Sequence, residues 1–148
     1  MAGAKLGIEV DDRDVAAAFD RLLEAGADLE PAFRDIGEML LISHRERFRT
    51  QESPEGAPWT PLSPKYQARK KRNRNKILVF EGWLSGRMSY AAGPDRLVFG
   101  TPMIYGATHQ FGDPARNIPA RPFLGISEGD RDGIFDILRD HIEGAWRG

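Results

Sequence analysis

Apolar side chains recur along this chain with two different periods. Val15, Phe19, Leu22 and Leu23 follow one another at helical spacing, and Gly26 ends the run. Asp11 or Asp12 is placed to cap that helix. Leu29, Phe33, Ile36 and Leu40 form a second apolar stripe, continued by Phe48, which predicts the longest helix over Asp28 to Thr50. Asp28 is its expected cap, Pro31 falls in its first turn, and its end, H-R-E-R-F-R, is cationic, which suits the negative end of a helix dipole. A third helix follows Ser127, with Asp130 three residues on as in a capping box. Ile134, Leu138, Ile142 and Ala145 share its face, with Phe135 and His141 nearby, and Gly133 and Gly144 weaken it.

The period of two appears elsewhere. Leu6 to Val10 alternates and reads as a short strand. Arg87–Ala91 and Leu97–Gly100 flank Gly93-Pro94-Asp95 and predict a hairpin, with Met88 and Tyr90 on one side and Leu97 and Phe99 opposite. The fold class expected is α+β: one domain over residues 1–148, two N-terminal helices and a C-terminal helix packed on a small antiparallel sheet.

Between these elements the pattern breaks. Gln51 to Pro64 holds four prolines and a glycine, so it is a long loop, with Trp59 and Leu62 to anchor it. Trp59 is read first as a buried pin and second as an aromatic that faces a partner. Lys65 to Lys76 carries seven basic residues in twelve: Lys65, Arg69, Lys70, Lys71, Arg72, Arg74 and Lys76. It reads as a short helix after Ser63-Pro64 that loosens through Asn73 and Asn75. Such a run is ordinarily a solvated segment; contact with an acidic protein surface or with nucleic-acid phosphates are the alternatives. Only Tyr66 is interleaved, so it is no stacking platform for bases. Ile77 to Leu84 is an apolar run interrupted by Glu81-Gly82. Phe99 to Ser127 is crowded with aromatics, glycines and prolines, which implies a turned, specific path and neighbours to hold Tyr105, Phe111 and Phe123. Within it, Tyr105 to Gln110 reads as a short helix, and Asn117 to Ile126 as extended or edge-like chain. This stretch is the expected hub of the fold.

Composition removes several functions. With 148 residues, 41% apolar and 29% charged, the chain has the makings of an ordinary globular core. A net charge of −1 gives no global attraction to nucleic acid or to an acidic membrane. The absence of cysteine excludes disulfides, a thiolate nucleophile and zinc–thiolate sites, and fits assembly in the cytoplasm. No signal peptide and no run near the ~20 apolar residues of a membrane span is legible, so a soluble chain is expected. None of the three histidines, His44, His109 and His141, has a second ligand at helical spacing, and there is no H-E-x-x-H, phosphate loop or nucleophile elbow. His109, inside the hub, is the one residue to weigh as a base or ligand. It is more simply a structural histidine bonded to backbone. Glu81 reads as a turn carboxylate. No enzyme, no cofactor and no small-molecule substrate are expected.

Three segments carry a resemblance. G-A-P-W-T-P-L-S (Gly56 to Ser63), G-T-P-M-I-Y-G-A-T-H-Q-F-G (Gly100 to Gly112) and I-P-A-R-P-F-L-G (Ile118 to Gly125) resemble the phage virion morphogenesis family, in order and spacing, over roughly Phe33 to Ile142. The resemblance implies a structural part of a virion that completes the tail or joins it to the head at the neck. It implies a subunit of a ring around the tail axis, often sixfold, whose partners are copies of itself and neighbouring tail or neck proteins. No activity or cofactor goes with the family. Ring subunits meet through heterologous interfaces in which a few aromatic or arginine anchors dominate, and Trp59, Arg121 and Phe123 are the interface candidates. The basic segment 65–76 is the candidate for electrostatic contact with an acidic neighbour or with packaged DNA. A nucleic-acid-binding accessory protein acting through that segment is the alternative, and a small hydrolase using His109 a third.

Overall fold

Helix α1 (Arg13–Glu24) buries Val15 and turns Phe19, Leu22 and Leu23 toward the core. The computed structural model describes residues 13–70, 88–101 and 106–147. The strand expected at Leu6–Val10, the caps Asp11 and Asp12, the run Ile77–Leu84 with Glu81, Tyr105, and four basic residues (Lys71, Arg72, Arg74 and Lys76) lie outside them. Phe19 meets Phe33 edge-on, ring centroids 5.1 Å apart, and so fixes α1 to the next helix.

Helix α2 (Glu30–Thr50) is the axis of the molecule. It packs against the C-terminal helix and against both strands. Its predicted stripe is buried: Phe33, Ile36, Leu40 and Phe48, with Ala32, Gly37, His44 and Arg47 between them. The helix starts two residues later than expected, yet Asp28 still serves its first turn, because Asp28 Oδ1 accepts the Glu30 amide at 3.0 Å. Gln51 ends the helix with φ 62°, its amide bonded back to the Arg47 carbonyl. Helix α3 (Pro64–Arg69) is capped by Ser63 Oγ, which accepts the Tyr66 amide at 3.2 Å.

Strands β1 (Ser89–Ala92) and β2 (Leu97–Gly100) pair antiparallel, with Tyr90 opposite Phe99 and Ala91 opposite Val98. The inward face is Met88, Tyr90, Ala92, Leu97 and Phe99, the alternation read from the sequence. Tyr90 lies flat on Gly37 of α2: a Cβ there would stand 2.5–2.7 Å from its ring atoms. Glycine is what lets the hairpin reach the helix backbone.

Helix α4 (Gly106–Phe111) and a 3₁₀ turn (Pro114–Arg116) follow, and the chain then runs extended to Ser127. Helix α5 (Glu128–Arg147) opens with the predicted capping box: Ser127 Oγ accepts the Asp130 amide at 3.0 Å, and Asp130 Oδ2 accepts the Ser127 amide at 3.1 Å. Ile134 and Leu138 are buried against α2, and Gly133 lies against Met39, where a side chain would collide with its sulfur. The architecture is α+β, helices on a small antiparallel sheet, as the pattern predicts. One expectation about the hub is overturned. Phe111, at the end of α4, is not held by neighbours; it stands 70% exposed.

Candidate functional site

The three segments that resemble a known family are far apart in sequence and hydrogen-bonded to one another in the fold. The extended stretch Arg121–Gly125 is where they meet. Extended chain inside a protein needs partners for its backbone, and among the described residues this stretch has no neighbouring strand. Side chains take that place. Trp59 Nε1 donates to the Pro122 carbonyl at 2.8 Å. Arg47 Nη1 donates to the carbonyls of Phe123 and Gly125, both at 2.9 Å. Gln110 Nε2 donates to the Leu124 carbonyl at 3.0 Å, while Gln110 Oε1 accepts the amides of Phe123 and Leu124 at 3.0 and 2.9 Å. Four consecutive carbonyls are thus each bound by a side chain, from three different elements.

The same stretch reaches outward. Arg121 donates through Nε to the Thr60 carbonyl at 2.7 Å and through Nη2 to the Pro61 carbonyl at 3.1 Å, so it pulls in the proline loop. Its own amide donates to the His109 carbonyl of α4 at 2.7 Å. Phe123 fits against Phe48, which in turn meets Trp59 edge-on. Proline and glycine set the path of the loop and the hub, and single polar side chains clasp the two together.

Below the clasp lies a buried charge. Arg47 Nη2 donates to Asp130 Oδ2 at 2.5 Å, and both side chains are almost fully covered. Burial lowers the pKa of Arg47 and the Asp130 carboxylate opposes that shift, so the guanidinium keeps its charge. His44 completes the group. Its Nδ1 lies 2.7 Å from the Leu40 carbonyl, which can only accept, so Nδ1 carries the proton. Nε2 is then free to accept from Arg47 Nη1 at 3.0 Å and from the Gly125 amide at 3.3 Å. Burial first, and the Arg47 charge second, lower the His44 pKa to about 3, so the ring is neutral at ordinary pH. A neutral imidazole and a neutralised charge pair, all turned inward, hold the chain together.

The candidates named from the sequence fall into two groups. Trp59, Arg121 and Phe123 are 3, 7 and 0% exposed, and each is spent inside the clasp. Of the basic segment, Lys65 and Arg69 are exposed on α3, and the Arg69 guanidinium lies 6.0 Å from the Tyr66 ring centre. Lys70 departs from a solvated run: it is 4% exposed, and burial lowers its pKa. His109 is half-buried, its pKa lowered by burial and then by the Arg121 charge. Among the described residues no group of three or more His, Asp or Glu is placed to hold a metal ion. No described helix is long and apolar enough to cross a membrane.

Sequence reasoning missed the buried triad. The signal was present: His44 and Arg47 sit at the fourth and seventh positions after Leu40, on the apolar stripe itself.

Comparison with known proteins agrees with the motif blocks. The chain is 29% identical to the putative capsid assembly protein G of Escherichia phage Mu, over 96% of its own length and 97% of that protein's. It is 28% identical to the tail completion protein S of Escherichia phage P2, over 84% of its length and 94% of the relative's. An uncharacterized protein of Methanocaldococcus jannaschii is 42% identical over 45% of this chain and 53% of its own. No solved structure matches. The family model described as phage virion morphogenesis covers residues 10–143, and with them the whole clasp: this chain belongs to the phage virion morphogenesis family.

Proposed function

We propose that this chain is a non-catalytic structural subunit of a tailed-phage virion, assembled in the host cytoplasm, which completes the tail or joins head and tail at the neck. In this reading it stands as a ring of copies, and its neighbours are other tail or neck proteins. One observation carries the reading. The blocks that mark the family bond to each other, and their polar side chains are spent on the chain's own backbone. A clasp of this kind fixes the shape of a surface. The names of the relatives from Mu and P2, capsid assembly and tail completion, support the same class.

The test is genetic and visual. Phage carrying a deletion of this chain, imaged by electron microscopy after induction, are expected to leave DNA-filled heads and separate or unfinished tails. Complementation in trans restores joined particles. Normal particles from the deletion would refute the reading. The nucleic-acid alternative rests on Lys65 and Arg69, exposed on α3. It requires salt-sensitive retention of DNA by the purified chain that falls when both are neutralised.

A further inference from the structure

We propose that Phe111 of one copy seats in the apolar cleft beside α1 of a second copy. The proposal rests on the subunit reading above and names the surfaces through which copies meet. The cleft has a volume of about 300 Å³, at the small end of built binding sites. Its floor comes from Phe33, Ile36 and Phe99, and one wall from Phe19 and Leu23 of α1. It is open to one side and almost wholly apolar, save for Asp20, Asp95 and Arg96.

Phe111 is a matching knob. It is the most exposed aromatic among the described residues, and its position is fixed on both sides. Gln110 before it makes three hydrogen bonds to the clasp. Gly112 after it takes φ +76° with Ala120 N 2.8 Å from where a Cβ would stand, so the turn admits only glycine. A side chain held out by a rigid turn loses little freedom on docking.

Charge favours the pairing too. The corner that carries Phe111 is cationic on balance: Arg121 ties α4 to the chain just before α3, where Lys65 and Arg69 are exposed, while Asp113 beside Phe111 is bonded to Arg116. The cleft rim offers the carboxylates of Asp20 and Asp95, both exposed, with Arg96 3.9 Å from Asp95, so the rim is acidic on balance. Phe111 stands exposed and is not among the residues that line the cleft of its own copy. A copy cannot fill its own cleft this way. A knob on one face and a socket on another make a heterologous contact, which repeats into a ring when the rotation closes.

The chain has no cysteine, which makes the contact directly testable. Native mass spectrometry and light scattering of Phe111→Asp are compared with the unaltered chain, with circular dichroism as the folding control. Self-association is expected to weaken roughly thirtyfold, the scale of an aromatic hot spot, with the fold unchanged. In a second arm, Phe111→Cys and Ala16→Cys are purified separately, mixed and oxidised. A mixed disulfide dimer is expected, well above either variant alone. If the unaltered chain assembles, Phe111→Asp assembles equally well and no mixed dimer forms, this contact is wrong and the ring reading stands. If the unaltered chain stays monomeric at every concentration and in particles, the ring reading fails and this contact with it.

Discussion

Replacing Asp130 by alanine should be among the most damaging single changes in this chain. Asp130 Oδ2 is the carboxylate bonded to Arg47, with Glu55 acting on the guanidinium from further off, and the two bonded side chains are 4% and 7% exposed. Removing it strands a guanidinium that has already lost its water. Breaking a buried pair from one side costs about 3–5 kcal/mol, because the remaining charge stays buried without its partner. Arg47 keeps the carbonyls of Phe123 and Gly125, which points to the lower half of that range. Against a total stability of roughly 5–15 kcal/mol this is a large share. Urea unfolding at pH 7 reads it directly: at a slope of ~2 kcal/mol per molar, the midpoint falls by about 1.5–2 M. Asp136→Ala is the control. Asp136 also faces an arginine, Arg139, on the same helix, but both are more than 60% exposed, and that pair is worth less than ~1 kcal/mol. Removing both buried charges, Arg47→Met with Asp130→Leu, should cost less than the two single changes added together. If Asp130→Ala cost no more than Asp136→Ala, the buried pair would not be what holds α2, α5 and the clasp together.

Other outcomes follow from the same geometry. His44 titrates near 3 when folded and near 6.5 when unfolded, so the unfolded chain binds the extra proton between those values and stability falls as pH drops through that window. The slope should reach about 1.4 kcal/mol per pH unit from this one group, read as the difference between the unaltered chain and His44→Asn in urea melts at pH 7, 6 and 5. Gln110→Ala removes three bonds at once, and amide hydrogen exchange at Phe123 and Leu124 should quicken by roughly tenfold or more while α2 stays protected; unchanged exchange there would mean that the clasp does not depend on Gln110. Gly37→Ala pushes a methyl into the Tyr90 ring and should cost about 1–3 kcal/mol, part of which Tyr90→Ala recovers; simple additivity of the two in thermal melts would deny the contact.

Much of this fold was legible because local signals agreed. The stripes that start from Val15, Leu29 and Ile134 named three helices, and Ser127 with Asp130 named a cap that forms as read. The hairpin followed from alternation around Gly93 and Pro94. What escaped was the destination of polar side chains. From the sequence Arg47 is a cation placed for the helix dipole, whereas its guanidinium crosses to a carboxylate 83 residues away. Trp59 reads first as a buried pin, and it is one; Arg121 and Phe123 read as interface candidates, and within the chain they meet the Thr60 carbonyl and the ring of Phe48. Phe111 runs the other way: an aromatic in a crowded stretch was expected to be held, and it is exposed. Periodicity records which face of an element is apolar. It carries no information on which distant backbone a tryptophan or an arginine will meet, nor on whether a cover is supplied by this chain or by another.

The most direct test of the account is the copy number of this chain in particles purified by density gradient, measured by quantitative mass spectrometry against a major tail protein. The account expects a small, fixed number of copies per particle, the same in every preparation and retained through high salt. A chain that phage growth requires, yet that is absent from finished particles or present in amounts that vary from one preparation to the next, would contradict it.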